Sequence, residues 1–266
     1  MKIIDFHTHL FPDDLAPRVI EQLSADTPEG RSFTDGTIDG LRASMQKSGI
    51  NRSVILPIAT KAEQVSTINA FQATLDRTVF IPFGALHPGT EKYGEVVAFL
   101  QQHRIGGVKL HPEYQNFQID VPELFPLYGM LADAGIITVF HTGKDPGFQG
   151  IHAPPSAVKK IAKAFPRLKI VAAHMGGWRM WNESFEELCG IPVYLDTSAI
   201  FGSIDPTLFV RMLKKHGSER VLFGSDSPWI DQQAACRWIE RLPLSGNDLE
   251  RIFYRNAEEL LSEIHC

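Results

Sequence analysis

The stretch Ile3-Ile4-Asp5-Phe6-His7-Thr8-His9 reads as a short buried strand that breaks off in two histidines at alternate positions. Period-two alternation puts both imidazoles on one face, about 7 Å apart at Cα, close enough to meet at one ion. The same punctuation recurs along the chain. Gly107–Leu110 is followed by His111, Ile136–Phe140 by His141, Lys169–Ala172 and Ala173 by His174, and Val221–Phe223 by Gly224-Ser225-Asp226. Ser53–Leu56, Val79–Phe83 and Val193–Leu195 bring the β-rich runs to eight. A parallel strand covered on both faces should be almost continuously apolar, so polar residues at the strand ends mark a common rim.

Helical patterns separate the runs, at Ile38–Lys47, Lys61–Leu75, Glu91–Gln102, Glu123–Ala134, Ser156–Ala164, Asn182–Leu188, Pro206–His216 and Gln232–Arg241. Alternating strands and helices predict βαβ units and a parallel sheet. The expected fold is an α/β (β/α)8 TIM barrel formed by one domain, residues 1–266, since such a barrel needs about 250 residues. Thr37 is the expected N-cap of the Ile38 helix, and Gly49 and Gly135 suit left-handed helix stops. Pro206 and Pro228 fit first-turn positions. A last helix, Asp248–Ser262, carries Leu249, Ile252, Phe253, Leu260 and Leu261 on one side and should pack on the barrel. The longest irregular stretches are Ser24–Thr37, Pro112–Pro122 and Thr142–Pro155. The last two follow strands 4 and 5, where loops of a barrel usually build the site.

Composition excludes several classes of protein. A hydrophobic fraction of 44% with 21% charged residues describes an ordinary globular chain, and the net charge of −5 disfavours nucleic acid or an anionic membrane as partner. Cys189, Cys236 and Cys266 are too few and too dispersed for a disulfide framework or a thiolate zinc site; free thiols in a reducing compartment are expected. The first residues form no secretory signal, and no run approaches the ~18 apolar residues of a membrane span. A cytoplasmic location is the default expectation, a homodimer stays open, and the expected partner is a small-molecule substrate.

The four histidines His7, His9, His141 and His174, with Asp226 on the same rim, need a shared partner, because each buried polar group left unsatisfied costs roughly 1–3 kcal/mol. A divalent cation satisfies them together. The donors are nitrogen-rich with one carboxylate and no thiolate, which suits Zn²⁺ first and admits Mn²⁺ or Fe²⁺. Three or four protein ligands would leave a position for water, whose pKa then falls to about 7.

The pieces Ile4-Asp5-Phe6-His7-Thr8-His9, Gly107-Val108-Lys109-Leu110-His111-Pro112, Phe140-His141-Thr142-Gly143, Ala173-His174-Met175-Gly176-Gly177 and Phe223-Gly224-Ser225-Asp226-Ser227-Pro228 occur in this order. With the closing Arg255-Asn256-Ala257 they resemble the amidohydrolase superfamily, in particular the branch that includes aminocarboxymuconate-semialdehyde decarboxylase. The resemblance implies a (β/α)8 barrel with one metal held by His7, His9 and His141. It makes Asp226 a ligand, the catalytic proton carrier, or both. His174 either polarises a substrate carbonyl or binds a second metal. Some relatives bridge two metals through a strand-4 glutamate or a carboxylated lysine; here strand 4 offers Lys109, and the favoured arrangement is a single ion, with Lys109 and His111 facing substrate.

The leading expectation is a metal-dependent hydrolase of a small amide, ester or lactone, with water activated at the metal and Asp226 carrying the proton. The alternative is a metal-dependent non-oxidative decarboxylase of a small aromatic or unsaturated acid. For that reaction Lys109, Lys144 or Arg179 would grip a carboxylate, and Trp178, Trp181 and Phe11 would line an apolar pocket. A non-catalytic metal-binding or oligomerisation protein is the third reading. His87 is a candidate pocket wall, while His103, His152, His216 and His265 carry no signal.

Overall fold

The structure, a computed structural model, describes residues 1–24 and 31–263. Part of the irregular stretch expected at Ser24–Thr37, and His265 and Cys266, lie outside the described residues. Eight parallel strands follow one another in chain order: β1 (Ile4–Thr8), β2 (Arg52–Ile55), β3 (Phe80–Pro82, continuing as Gly84–Ala85), β4 (Gly107–Leu110), β5 (Ile137–Phe140), β6 (Ile170–Ala172), β7 (Tyr194–Asp196) and β8 (Val221–Leu222). The first half of β3 pairs with β2 and the second half with β4. β8 closes onto β1 through Phe6 N–H to Phe223 O (2.7 Å), Asp226 N–H to His7 O (2.9 Å) and His9 N–H to Ser227 O (2.7 Å). The expected (β/α)8 barrel is therefore the fold.

Alternation along the strands separates two apolar layers. Ile4, Phe6, Val54, Leu56, Phe83, Ile137, Val139, Val171 and Leu222 fill the barrel, and Ala257 and Leu260 of the last helix join that cluster. Ile55, Val108, Leu110, Phe140, Leu195 and Phe223 belong instead to the larger cluster shared with the helices, represented by Leu41, Leu131, Ile161 and Phe209. Gly107 leaves space for this filling, since a Cβ there would lie 2.1 Å from the Phe83 ring.

One irregularity positions the site. Asp5 pairs with Ser53 and Thr8 with Ile55, so three steps along β1 match two along β2. The extra residue is a β-bulge, which lets Phe6 stay in the barrel filling while His7 and His9 also turn inward. A regular strand with Ile4 and Phe6 inside would send both imidazoles to the helix layer. Opposite His7, a Cβ on Gly224 would come within 2.8 Å of the His7 Cβ, so β8 yields the room. Asp5 points away and ties β1 to the β8 end, accepting from Ser225 N–H (2.9 Å), Ser225 Oγ–H (2.6 Å) and Gln232 Nε2 (2.8 Å).

Local signals set most helix boundaries. Thr37 caps Ile38–Ser48 by accepting from Gly40 N–H (2.9 Å), and Gly49 ends that helix at φ 72°. Pro206–His216 begins as expected, with Asp205 accepting from Thr207 N–H. Pro228 corrects its expectation. It lies in a turn closed by Trp229 N–H to Asp226 O (2.9 Å), and the helix starts only at Gln232, capped by Asp231. The last helix is not continuous: Gly246–Glu250 and Asn256–Ser262 flank a wider π-turn at Arg251–Arg255. The Ile252 carbonyl accepts from Phe223 N–H (2.8 Å), and Asn256 is pinned to Ser218 O and Val221 O, which explains the local widening. Helices at Ala16–Ser24 and Pro112–Gln115 add to the expected set. Among the described residues no helix is long and apolar enough to cross a membrane.

Candidate metal centre

His7 Nε2 and His9 Nε2 lie 3.3 and 3.2 Å from Asp226 Oδ1. The ligand atoms of these three residues are all within 4.8 Å of one another. Their hydrogen bonds fix the tautomers. His7 Nδ1–H donates to Asp196 Oδ2 (2.8 Å) and His9 Nδ1–H donates to the Leu56 carbonyl (2.7 Å). In the neutral rings both Nε2 atoms therefore carry lone pairs, and both lone pairs face a carboxylate oxygen. Three converging acceptors are what a divalent cation requires, and the nitrogen–oxygen donor set fits one. The outer bond from His7 to a carboxylate is the usual means of orienting a metal-binding imidazole.

The electrostatics agree. Burial, reinforced by Lys109, lowers the His7 pKa to about 4, so the ring is neutral at pH 7. Burial opposes ionisation of Asp226, but His7, His9 and His174 outweigh it and hold the carboxyl below its usual range. Asp196 is likewise held low, against its burial, by His7, His174 and Ser198. Lys109 is 1% exposed, and its Nζ sits 3.3 Å from His7 Nε2. Burial lowers its pKa to about 8, with Asp196 and Asp226 pulling the other way, so it stays mostly protonated at pH 7.

His174 ends β6 with its ring 5.3 Å from that of His7. Its Nδ1–H donates to Ser198, whose own hydroxyl is committed to Asp196 Oδ1. His174 Nε2 then accepts from His141 Nδ1–H (3.0 Å). The structure thus groups His141 with His111 and Asp145 rather than directly with His7, His9 and Asp226. The His111 and His141 rings stack at 4.1 Å, and Gln115 fixes His111 by accepting its N–H (2.9 Å) while donating to Ala59 O and Leu86 O. Trp178 is buried, with its indole N–H donating to Ala199 O (3.3 Å); the exposed Arg179 lies 4.4 Å over the Trp178 ring. Lys144 is exposed, and His87 accepts from Gly89 N–H in the turn after β3. Left-handed backbone at His174 (φ 59°), Met175 (φ 55°) and Asp226 (φ 75°) concentrates strain at this rim, as functional sites often do.

Sequence reasoning missed Asp196, Ser198, Asp145, Glu113 and Gln115. Leu195-Asp196-Thr197-Ser198 carries the same apolar-to-polar break as the other strand ends and was readable on that ground. Asp145 and Glu113 lie on the loop and short helix after the strands, where no periodicity points inward.

The sequence profile of the amidohydrolase family matches residues 4–262, and the chain belongs to that family. The decarboxylase orsB of Emericella nidulans is 26% identical over 134 residues, which is 42% of this chain and 40% of that protein's length. Among solved structures, 5-carboxyvanillate decarboxylase LigW from Sphingomonas paucimobilis superposes with a TM-score of 0.73 at 16% identity, covering 98% of this chain and 99% of its own. A dihydroxybenzoic acid decarboxylase from Polaromonas sp. JS666, holding manganese and the inhibitor 2-nitroresorcinol, gives 0.75 at 16% identity, covering 100% and 98%. These structural likenesses concern the fold; the family assignment makes the chain an amidohydrolase-superfamily enzyme.

Proposed function

We propose that this enzyme is a metal-dependent, non-oxidative decarboxylase of a small phenolic or related aromatic acid. The observation that carries the reading is the buried Lys109 ammonium beside the His7–His9–Asp226 group, which prepares the pocket for an anionic substrate. The relatives described above are decarboxylases, the two solved structures among them of such acids, which favours this reading over the hydrolysis of an amide, ester or lactone. Manganese in one of them makes Mn²⁺ a candidate beside Zn²⁺.

A divalent ion held by His7, His9 and Asp226 supplies a positive centre for the substrate's oxygens. Lys109 attracts and orients the carboxylate. Asp226 turns Oδ1 toward the two histidines, which leaves Oδ2 to move a proton. Held ionised, Asp226 takes the proton of a phenolic hydroxyl and delivers it to the ring carbon that bears the carboxylate. The carbon–carbon bond then breaks, CO₂ leaves, and its bonding pair returns to the ring; solvent reprotonates the phenolate. His174, locked by Ser198 and His141, holds one wall of the pocket in place.

The test is CO₂ release from a panel of dihydroxybenzoates and carboxyvanillates, beside hydrolysis of lactones, esters and amides. One ring deuterium per turnover in D₂O is expected. Asp226→Asn should keep the native circular dichroism and lose at least ~100-fold in rate. Hydrolysis without CO₂ release, or full activity of Asp226→Asn, overturns the proposal.

A further inference from the structure

The chain leaves β6 through a turn that residues with side chains avoid. His174, Met175 and Gly176 follow one another with φ 59°, 55° and 77°, all in the left-handed region, and only the last is a glycine. Two other residues in succession there are strained, because each Cβ crowds the following carbonyl. His174 is the first of them, so the direction of its ring follows the turn. The turn is also tightly covered: a Cβ on Gly176 would lie 2.6 Å from Ser184 Oγ and 2.6 Å from Leu188 Cδ1.

Three side chains hold its backbone. Asp196 Oδ1 accepts from His174 N–H (3.0 Å), the indole N–H of Trp181 donates to the His174 carbonyl (3.0 Å), and the Ser184 hydroxyl donates to the Met175 carbonyl (2.7 Å). The last two come from the helix Trp181–Glu187. Ser184 is fully buried in the middle of that helix. Serine is a poor helix former, and at such a position its hydroxyl commonly turns back to the carbonyl four residues earlier. Here that carbonyl, Met180 O, accepts the Ser184 amide (2.9 Å) and the hydroxyl reaches Met175 instead. Trp181, expected to line an apolar pocket, packs against the core shared with the helices, and its polar edge serves the turn.

We propose that Ser184 and Trp181 are positioning residues of the active site: they hold the left-handed turn that aims His174, and they act on the reaction only through that ring. The inference rests on the reading of His174 as a wall of the substrate pocket. Loss of either donor leaves a carbonyl of the turn without its side-chain partner, and the turn relaxes from its strained backbone. His174 then draws away from Ser198 and His141, while His9, tied to the Leu56 carbonyl, keeps its place. A displacement of about 1 Å at such a group costs on the order of 100-fold in rate.

Nuclear magnetic resonance of the full chain, labelled in its histidine rings and stripped with a chelator, tests this. The His174 signals are assigned by their loss in His174→Gln. Ser184→Ala and Trp181→Phe should each shift or broaden these signals and speed exchange of the Nδ1 proton, while the signals of His9 and His216 stay in place. Circular dichroism confirms folding, and Trp181→Phe, which keeps an aromatic ring in the packing, carries the test if Ser184→Ala does not fold. Ser184→Thr, which keeps the hydroxyl, should move the His174 signals less than Ser184→Ala does. After reloading with Mn²⁺, kcat/KM should fall by ~10- to 100-fold in Ser184→Ala with metal affinity unchanged. An unmoved His174 ring in the folded variants overturns the proposal, as does a moved ring with unchanged turnover, or shifts at His9 and His216 as large as those at His174. Failure of the decarboxylase reading looks different: no acid of the panel releases CO₂, yet the His174 ring still moves.

Discussion

Replacing Asp196 by Asn isolates the tautomer control at the proposed His7–His9–Asp226 metal site. Among the described residues Asp196 Oδ2 accepts from His7 Nδ1–H (2.8 Å), whereas Oδ1 accepts from His174 N–H (3.0 Å), Ser198 N–H (3.0 Å) and the Ser198 hydroxyl. An asparagine keeps the larger set by placing its carbonyl oxygen at the Oδ1 position. Its NH₂ then meets His7 Nδ1, and the ring escapes a donor–donor clash by moving its proton to Nε2. There the proton has an acceptor at hand, since Asp226 Oδ1 is 3.3 Å away. The stripped protein exchanges one charge-assisted bond for another but turns the new N–H toward Lys109 Nζ, 3.3 Å from the same atom, so unfolding should shift by about 1–2 kcal/mol, or roughly 2–8 °C. Metal affinity bears the cost, because the ligand atom is now protonated. A loss of 10- to 100-fold, the usual effect of removing such an outer partner, corresponds to about 1.4–2.7 kcal/mol. Calorimetric titration with Mn²⁺ and thermal unfolding of the stripped variant give the two numbers. Unchanged affinity, or destabilisation of several kcal/mol without an affinity change, would refute the tautomer argument.

Two further predictions concern the scaffold. His216 is buried, accepts from Gly190 N–H at Nδ1 (3.2 Å) and donates from Nε2 to Val193 O (3.0 Å); burial lowers its pKa below the ordinary 6.5. The unfolded chain therefore takes up the proton first as pH falls, so stability from this residue is complete above about 6.5 and declines below it. His216→Gln keeps a donor and an acceptor but does not titrate, and denaturant melts of the stripped protein between about pH 5 and 7 should show a flatter slope than wild type; equal slopes refute it. Gly143 sits at φ 88°, and a Cβ there would lie 2.2 Å from Trp178 N. Gly143→Ala should cost more than about 2 kcal/mol in urea unfolding and disturb the Trp178 fluorescence; a neutral result would mean that the loop relaxes freely.

The barrel was legible because several of the β-rich runs break into polar residues at one end, and that pattern survives without knowledge of neighbours. Gly107–Leu110 and Pro206–His216 fall where periodicity and capping put them. The β-bulge was not legible, since it exists only in the register between β1 and β2. Alternation placed His7 and His9 on one face but did not say which face. The sequence named five rim residues, and strand ends specify a rim but not the positions around it. The loops set those positions, with Gln115 anchoring His111 and Asp145 lying beside His141. The π-turn near Ile252 follows from a carbonyl recruited by Phe223 and leaves no trace in helical periodicity.

The closure between β1 and β8 has a bearing on how the chain matures. His9 and Asp226 stand 217 positions apart, and their side chains meet only when the final strand docks beside the initial one. An ion seated across that seam, as proposed, would act as a clasp that binds the assembled cylinder in preference to open precursors. Metal supply would then become a check on the last folding event, biasing the population toward the completed ring by an amount set by free ion over dissociation constant.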